Sequence, residues 1–355
     1  MKIAFSPARV WDSTWGQEKN LVEVLAKKHE VRIIDLVDYD NRYSQKGMKY
    51  GVPKNATIVR RGTSLKPGIL LGMYSEMENL SALVNMRFDV FVLYSTLGNV
   101  LASLYAKITG RRVVLIYADD LGELFAKKSR IGGWLTSHIF TPAIARLADH
   151  VVTTAHKLKS DMEKYNSRVS YIPNGVDLKR LKKGKDKHKR FTIGFVGGFG
   201  EWVDFDLVIK LAKEVDADFV LIGGGPLLGY VKDKAKDLPN VTVTGILPYE
   251  KAMKEISKAH VSIIPFRVNR LTDRVSPIKL FEYWGLGLPV ISTPFYEAEK
   301  AGEGIVEFAE TAKYFKKAIE RMRDKAHRDE VAAKGLAKVK ENDWAELGKR
   351  YLEII

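Results

Sequence analysis

LTDRVSPIKLFEYWGLGLPVIST, residues 271–293, decides how this chain is read. An apolar run precedes it at 261–265 (VSIIP) and another closes it at 288–292 (LPVIS), and each reads as a buried strand. Between them Ser276-Pro277 makes a helix start, with Ser as N-cap and Pro at the first helical position. A short helix over 278–286 follows and stops at a glycine. Lys279 then falls in the first turn, where the helix dipole disfavours a cation. An anion shared by the helix N-terminus and the lysine removes the conflict, and phosphate is the usual guest at such a place. Lys279 and Glu282 are three apart, so one helical face offers a cation and a carboxylate together. A partner for a diphosphate beside an acceptor for ribose hydroxyls suits a nucleotide.

Working outward, strand and helix signals alternate through both halves, which predicts parallel sheets covered by helices. In the first half, strands are expected at 2–6, 31–37, 57–60, 88–94, 113–118, 151–154 and 169–172. Helices are expected at 17–28, 96–109 and 157–165. In the second half, strands are expected at 191–196, 218–222, 241–244 and 261–265, with helices at 205–215 and 249–259 and a helical, charged tail over 311–355. Glycines follow two of these strands, Gly197-Gly198-Phe199-Gly200 and Gly223-Gly224-Gly225. Neither completes G-x-G-x-x-G, and no G-x-x-x-x-G-K-[ST] occurs, so a dinucleotide fingerprint and a P-loop are both excluded. Glycine there still lets backbone amides approach a diphosphate.

The run SPIKLFEYWGLGLPVIST resembles the donor-nucleotide signature of GT-B glycosyltransferases, in the form found among polysaccharide-building enzymes. The resemblance implies two Rossmann-like domains facing across a cleft, with a last helix, opening near Trp344, that crosses back to the N-terminal domain. It implies a ribose contact at Glu282, diphosphate neutralisation by Lys279 and the helix headed by Ser276, and no metal. GFVGGFGEWVDFDL resembles the phosphate-side loop of the same enzymes, which brings in Gly198 and Gly200. GILPY resembles their loop near the base, which brings in Gly245 and Tyr249. YIPNGVD, residues 171–177, resembles their hinge. The expected domains are 1–178 with the helix 343–355, a basic linker 179–190, and 191–342. Many retaining relatives place a Glu eight residues before the ribose Glu; this chain has Arg274 there. Arg274 either meets a donor sugar that carries a carboxylate or points away from it.

Two loops stand at carboxyl ends of the first half's strands, where open α/β sheets hold ligands. In 9–16 (RVWDSTWG), the two tryptophans either offer a sugar-stacking surface or pack the loop. Asp119-Asp120 closes VVLIYA. A carboxylate pair in a cleft supplies a general base, and related enzymes carry a similar pair at this strand end, one member acting as base in inverting examples. Asp120 is the first choice and Asp119 the second, against the alternative of helix capping. Segment 125–147 mixes Lys127, Lys128 and Arg130 with Ile131, Trp134, Leu135, Ile139 and Phe140. It reads either as a membrane-interface face or as a core helix with a solvated side.

Composition sets the outer bounds. With 355 residues the chain is long enough for two ordinary domains. No run of 18 or more apolar residues exists, and MKIAFSP enters a strand with no signal-peptide core, so a cytoplasmic protein, peripheral at the inner face of the plasma membrane if 125–147 docks there, is expected. Absence of cysteine excludes disulfides and thiolate metal sites. Asp-x-Asp occurs at 38–40, 204–206 and 216–218, the second reading as a helix cap, so no metal is expected. A net charge of +15 calls for an anionic partner. The reading is a glycosyltransferase using a UDP- or GDP-sugar on a glycan or lipid-linked acceptor. Its rivals are a nucleotide-sugar 2-epimerase of the same fold and a basic nucleic-acid-binding protein.

Overall fold

Strand–helix alternation builds two parallel sheets in the computed structural model, which describes residues 1–8, 11, 16–38, 51–63, 69–94, 96–127, 129–184 and 186–355. The chain divides into two compact units, Met1–Pro173 with Leu347–Ile355, and Asn174–Glu346.

The first unit runs β1 (Lys2–Ser6), α1 (Gln17–Ala26), β2 (Glu30–Asp38), β3 (Ala56–Thr63), α2 (Ile69–Val84), β4 (Val90–Leu93), α3 (Val100–Ile108) and β5 (Arg112–Tyr117). It continues through α4 (Leu121–Ala126), α5 (Arg130–Leu135), a π-helical turn (Thr136–Phe140), α6 (Thr141–Leu147), β6 (His150–Thr153), α7 (His156–Met162) and β7 (Val169–Tyr171). Among the described residues its sheet has seven strands in the order β3-β2-β1-β4-β5-β6-β7, all parallel. Strands β4 and β5 are nearly continuous apolar runs, because both of their faces are covered: Val90–Leu93 and Val113–Tyr117 are buried throughout.

The second unit runs β8 (Thr192–Gly198), α8 (Phe205–Glu214), β9 (Asp218–Gly224), α9 (Leu228–Ala235), β10 (Val241–Gly245), α10 (Tyr249–Ile256) and β11 (Val261–Ile264). A 3₁₀ turn (Thr272–Arg274) leads to α11 (Ile278–Gly285), β12 (Val290–Ser292), α12 (Tyr296–Gly302), β13 (Glu307–Phe308), α13 (Ala312–Arg321), α14 (Lys325–Lys338) and the start of α15 (Trp344–Ile354), whose residues from Leu347 onward belong to the first unit. Its sheet is parallel, in the order β10-β9-β8-β11-β12-β13. Helix α9 has no counterpart in the sequence reading, because it buries only Val231 and Ala235, a stripe too narrow to register as a helical period.

Strand order reverses at β1/β4 in the first sheet and at β8/β11 in the second. Such a switch point leaves a crevice outside the carboxyl ends of the two strands. In the second sheet the segments entering that crevice are the glycine run after β8 and the stretch from β11 to α11.

Residues 174–178 go with the second unit. Val176 N–H donates to Asn342 O (2.9 Å) and Trp344 N–H to Val176 O (3.1 Å). Within the basic run, Lys182, Gly184 and Lys187 are held on that unit by specific bonds. Lys187 Nζ donates to Ser257 O (3.0 Å) and Ala259 O (2.7 Å), Gly184 N–H donates to Ser257 Oγ (2.6 Å), and Lys182 pairs with Glu250 (2.9 Å). A lysine can neutralise the carbonyl end of a helix in this way, here the end of α10.

Candidate active site

The head of α11 is built differently from its sequence signals. Pro277, not Ser276, occupies the N-cap position, and it makes no side-chain cap. Ser276 is buried and turned aside: its Oγ accepts from Asn174 N–H (3.0 Å), while Asn174 Nδ2 donates to Ser276 O (2.9 Å). This pair pins Asn174 to the start of the helix, a contact 102 residues apart in the chain. The expectation of Ser276 as cap is thus corrected. A long-range partner took the hydroxyl, and the first-turn amides of α11 receive nothing from it.

Helix α11 buries Leu280, Phe281, Tyr283 and Trp284 and leaves Lys279 and Glu282 together on its other face. Tyr283 reaches beneath the sheet, its hydroxyl accepting from Val196 N–H (2.9 Å), and so ties α11 to the last apolar residue of β8. Sequence reasoning missed Tyr283 and Asn174, because each acts through a partner far away in the chain. Lys279 folds back over Gly197, where an added Cβ would lie 2.0 Å from Lys279 Cε and the backbone φ is +151°. The backbone conformation there favours glycine, and a Cβ would displace the flexible end of the lysine. The Lys279 ammonium stands 5.4 Å from the Phe266 ring and 5.9 Å from the Phe195 ring. Burial pushes its pKa down, with Glu282 opposing. A partly desolvated ammonium over aromatic faces is held ready for an anion.

Glu282 is the counterpart. Burial pushes its carboxyl up to about 7, while a hydrogen bond from the Tyr249 hydroxyl and the charge of Lys279 favour the ionised form. Tyr249, the first residue of α10, is itself pushed up by burial and by Glu282. Lysine, glutamate and tyrosine from two helices therefore form one half-buried polar cluster at the second sheet's switch point.

The glycine run lies beside it. A Cβ at Gly223 would meet Gly197 O at 1.9 Å, and Phe199 N–H donates to Gly224 O (2.8 Å), so the two glycine loops are packed backbone on backbone. Gly198 is exposed at the end of β8, whereas Gly200 is buried under the Trp202 ring, 2.3 Å from where a Cβ would stand. Gly245 ends β10 with φ +76°. Arg274 lies on the 3₁₀ turn with Nη1 donating to Arg270 O (3.2 Å), and Asp273 braces the turn by accepting from Tyr296 N–H (3.1 Å).

In the first unit Asp120 caps α4, its Oδ1 accepting from Glu123 N–H (3.1 Å), and it is buried at the carboxyl end of β5 next to Asp119. Trp11 is buried, its backbone N–H donating to Asp35 Oδ1 (2.9 Å), so of the two loop readings it takes the packing one. The rest of that loop's pair, Asp12 and Trp15, lies outside the described residues, as do Asp40 and Lys128. Asp204 caps α8 through Leu207 N–H (3.2 Å) and pairs with Arg267 (3.1 Å), as its position before the helix predicted. Asp206 binds Arg267 and Tyr230, and Asp216 and Asp218 hold Arg190.

Residues 19–180 match the family described as Glycosyltransferase Family 4, and residues 190–325 match Glycosyl transferases group 1. A curated relative, the putative teichuronic acid biosynthesis glycosyltransferase TuaH of Bacillus subtilis, is 25% identical over 164 residues, which span 42% of this chain and 41% of that protein. Among solved structures, sucrose-phosphate synthase from Thermosynechococcus elongatus superposes with a TM-score of 0.79 at 14% identity, covering 100% of this chain and 98% of the other. Anabaena HepE in complex with UDP-glucose superposes with a TM-score of 0.71 at 15% identity, covering 100% and 99%.

Proposed function

The chain is a GT-B glycosyltransferase, a family 4 domain followed by a group 1 domain, and on that premise we propose that it moves a sugar from a nucleoside-diphosphate donor to a glycan or lipid-linked acceptor. One observation carries the reading: Lys279 and Glu282 stand side by side on the half-buried face of α11, at the switch point and against Gly197. Glu282 accepts the ribose hydroxyls. Lys279 and the amides at the head of α11 take the diphosphate and neutralise it as it leaves. HepE is described in complex with UDP-glucose, which makes a UDP-sugar the first donor to try, ahead of a GDP-sugar. Arg274 favours a donor sugar that carries a carboxylate, because a guanidinium meets a carboxylate in a two-pronged pair, and TuaH is named for teichuronic acid synthesis. Asp120 takes the acceptor's proton as its hydroxyl attacks the anomeric carbon, which goes with inversion there. The rival epimerase reading finds no support among these relatives.

Calorimetry with the donor picked from a thermal-shift panel of UDP-, GDP-, ADP- and CMP-sugars tests the site. Glu282→Ala removes hydrogen bonds to a charged group and weakens the donor by about 2–3 kcal/mol. Lys279→Ala weakens it as well. Unchanged affinity in both variants refutes the assignment.

A further inference from the structure

We infer that the ridge formed by α4, α5, the π-helical turn and α6 is a docking face for a bilayer rich in anionic lipid. The packing of these helices is inverted relative to an ordinary soluble pair. Their inward positions are small: an added Cβ at Gly133 would lie 2.6 Å from Ala126 Cα, and one at Gly122 would lie 1.8 Å from Ser137 Oγ. Backbones that close leave no room for large side chains between them. Four large apolar side chains are exposed instead: Phe125 is 37% exposed, Ile131 70%, Trp134 54% and Ile139 46%. A core helix with a solvated side, the alternative reading of 125–147, would show the reverse arrangement.

The start of α5 and the Trp134 ring are held by local contacts. Ser129 caps α5 through Gly132 N–H (3.1 Å). The Trp134 ring stacks on His138 at 5.1 Å, and His138 Nδ1 bonds Trp134 O (2.9 Å). The π-helical turn, a feature frequent at functional sites, then carries the exposed stripe on to Ile139.

Charge selects the occupant. Residues 124–148 contain no Asp or Glu, whereas Lys127, Arg130 and Arg146 are exposed along the ridge. A second copy of this chain meeting it face to face about a two-fold axis would set these cations against their own likeness. An anionic headgroup layer matches them, with Ile131, Trp134 and Ile139 entering the acyl boundary and the basic stems reaching back to the phosphates. No described helix is long and apolar enough to cross a membrane, so the contact is a surface one. Asp120 caps the far end of α4 from Phe125. That helix of six residues, about 9 Å long, would hold the carboxylate within reach of a lipid-linked hydroxyl at the interface.

Co-sedimentation with phosphatidylglycerol–phosphatidylcholine vesicles tests the face and needs no transfer activity. Binding of the whole chain should rise with the phosphatidylglycerol fraction and fall as salt is added. Lys127→Ala and Arg130→Ala should each weaken it about fivefold. Ile131→Glu with Trp134→Glu should abolish it while the circular-dichroism melt stays that of the parent. Brominated acyl chains should quench the parent's fluorescence and spare that fraction in Trp134→Phe. The inference is overturned by no binding to anionic vesicles at low salt, by equal binding to pure phosphatidylcholine, or by undiminished binding of the double variant. It is equally overturned if the double variant converts a dimer to a monomer, or if the ridge variants lose affinity for RNA and not for vesicles.

Discussion

Replacing Tyr249 by Phe removes one hydroxyl and should move the pH at which donor binding is lost. In the native chain the Glu282 carboxyl is pushed up to about 7 by burial, with the Tyr249 hydroxyl and Lys279 holding it lower than burial alone would. Ribose hydroxyls donate, and only the carboxylate offers acceptors on both oxygens. Affinity is therefore full above that pH and falls as pH drops through it. One unit below, about a tenth of the carboxyls are ionised, and the donor binds about tenfold more weakly, about 1.4 kcal/mol. Tyr249→Phe withdraws a hydrogen bond to a charged group, worth about 1.5–3 kcal/mol. That raises Glu282 by about one to two further units. At about pH 7.5, where the native carboxyl is mostly ionised, the variant should bind about threefold to about twenty-five-fold more weakly, and the two should converge above about pH 10. A nucleotide sugar is the right titrant, because its diphosphate diester stays ionised throughout. The same proton appears in folding. Glu282 rises on folding from 4.5 to about 7, so the folded state binds it more tightly. Stability then declines as pH rises through that window, by about 3 kcal/mol in all, and Glu282→Gln abolishes this decline. Calorimetric titration across the range decides the matter. A flat native profile, or the same midpoint in Tyr249→Phe, refutes the coupling.

Two further outcomes are expected. Asp120→Asn keeps a good N-cap for α4, so its melting point should stay near the parent's and donor affinity should be unchanged while transfer is abolished. NMR of the product should show the anomeric configuration opposite to the donor's, and a matching configuration refutes the inverting role. Gly197→Ala places a Cβ at φ +151° and against Lys279 Cε. It should destabilise the second unit by about 1–3 kcal/mol and displace the ammonium, so that donor affinity falls with it; parent-like denaturant midpoints and affinity would refute the close approach.

Much of the molecule is written locally. Runs such as FDVFVLY and VVLIYA are buried on both faces and bounded by turn residues, so β4 and β5 are legible from their own composition. The pairing of Lys279 with Glu282 is legible too, because a separation of three on a helix fixes a shared face wherever the helix sits. Tertiary structure alone decided what those side chains meet. Ser276 reads as a cap until Asn174, 102 residues away, takes its hydroxyl. Glu282 is an ordinary acid in the sequence, and its carboxyl is moved to about 7 only by burial, set against Tyr249 and Lys279. The segment 124–148 displays its basic and apolar residues openly, yet which of them face outward depended on Gly122 and Gly133 letting two backbones touch. Periodicity and capping act within a few residues, so a sequence carries them intact. Desolvation, long-range hydrogen bonds and close backbone approach depend on segments that only folding brings together.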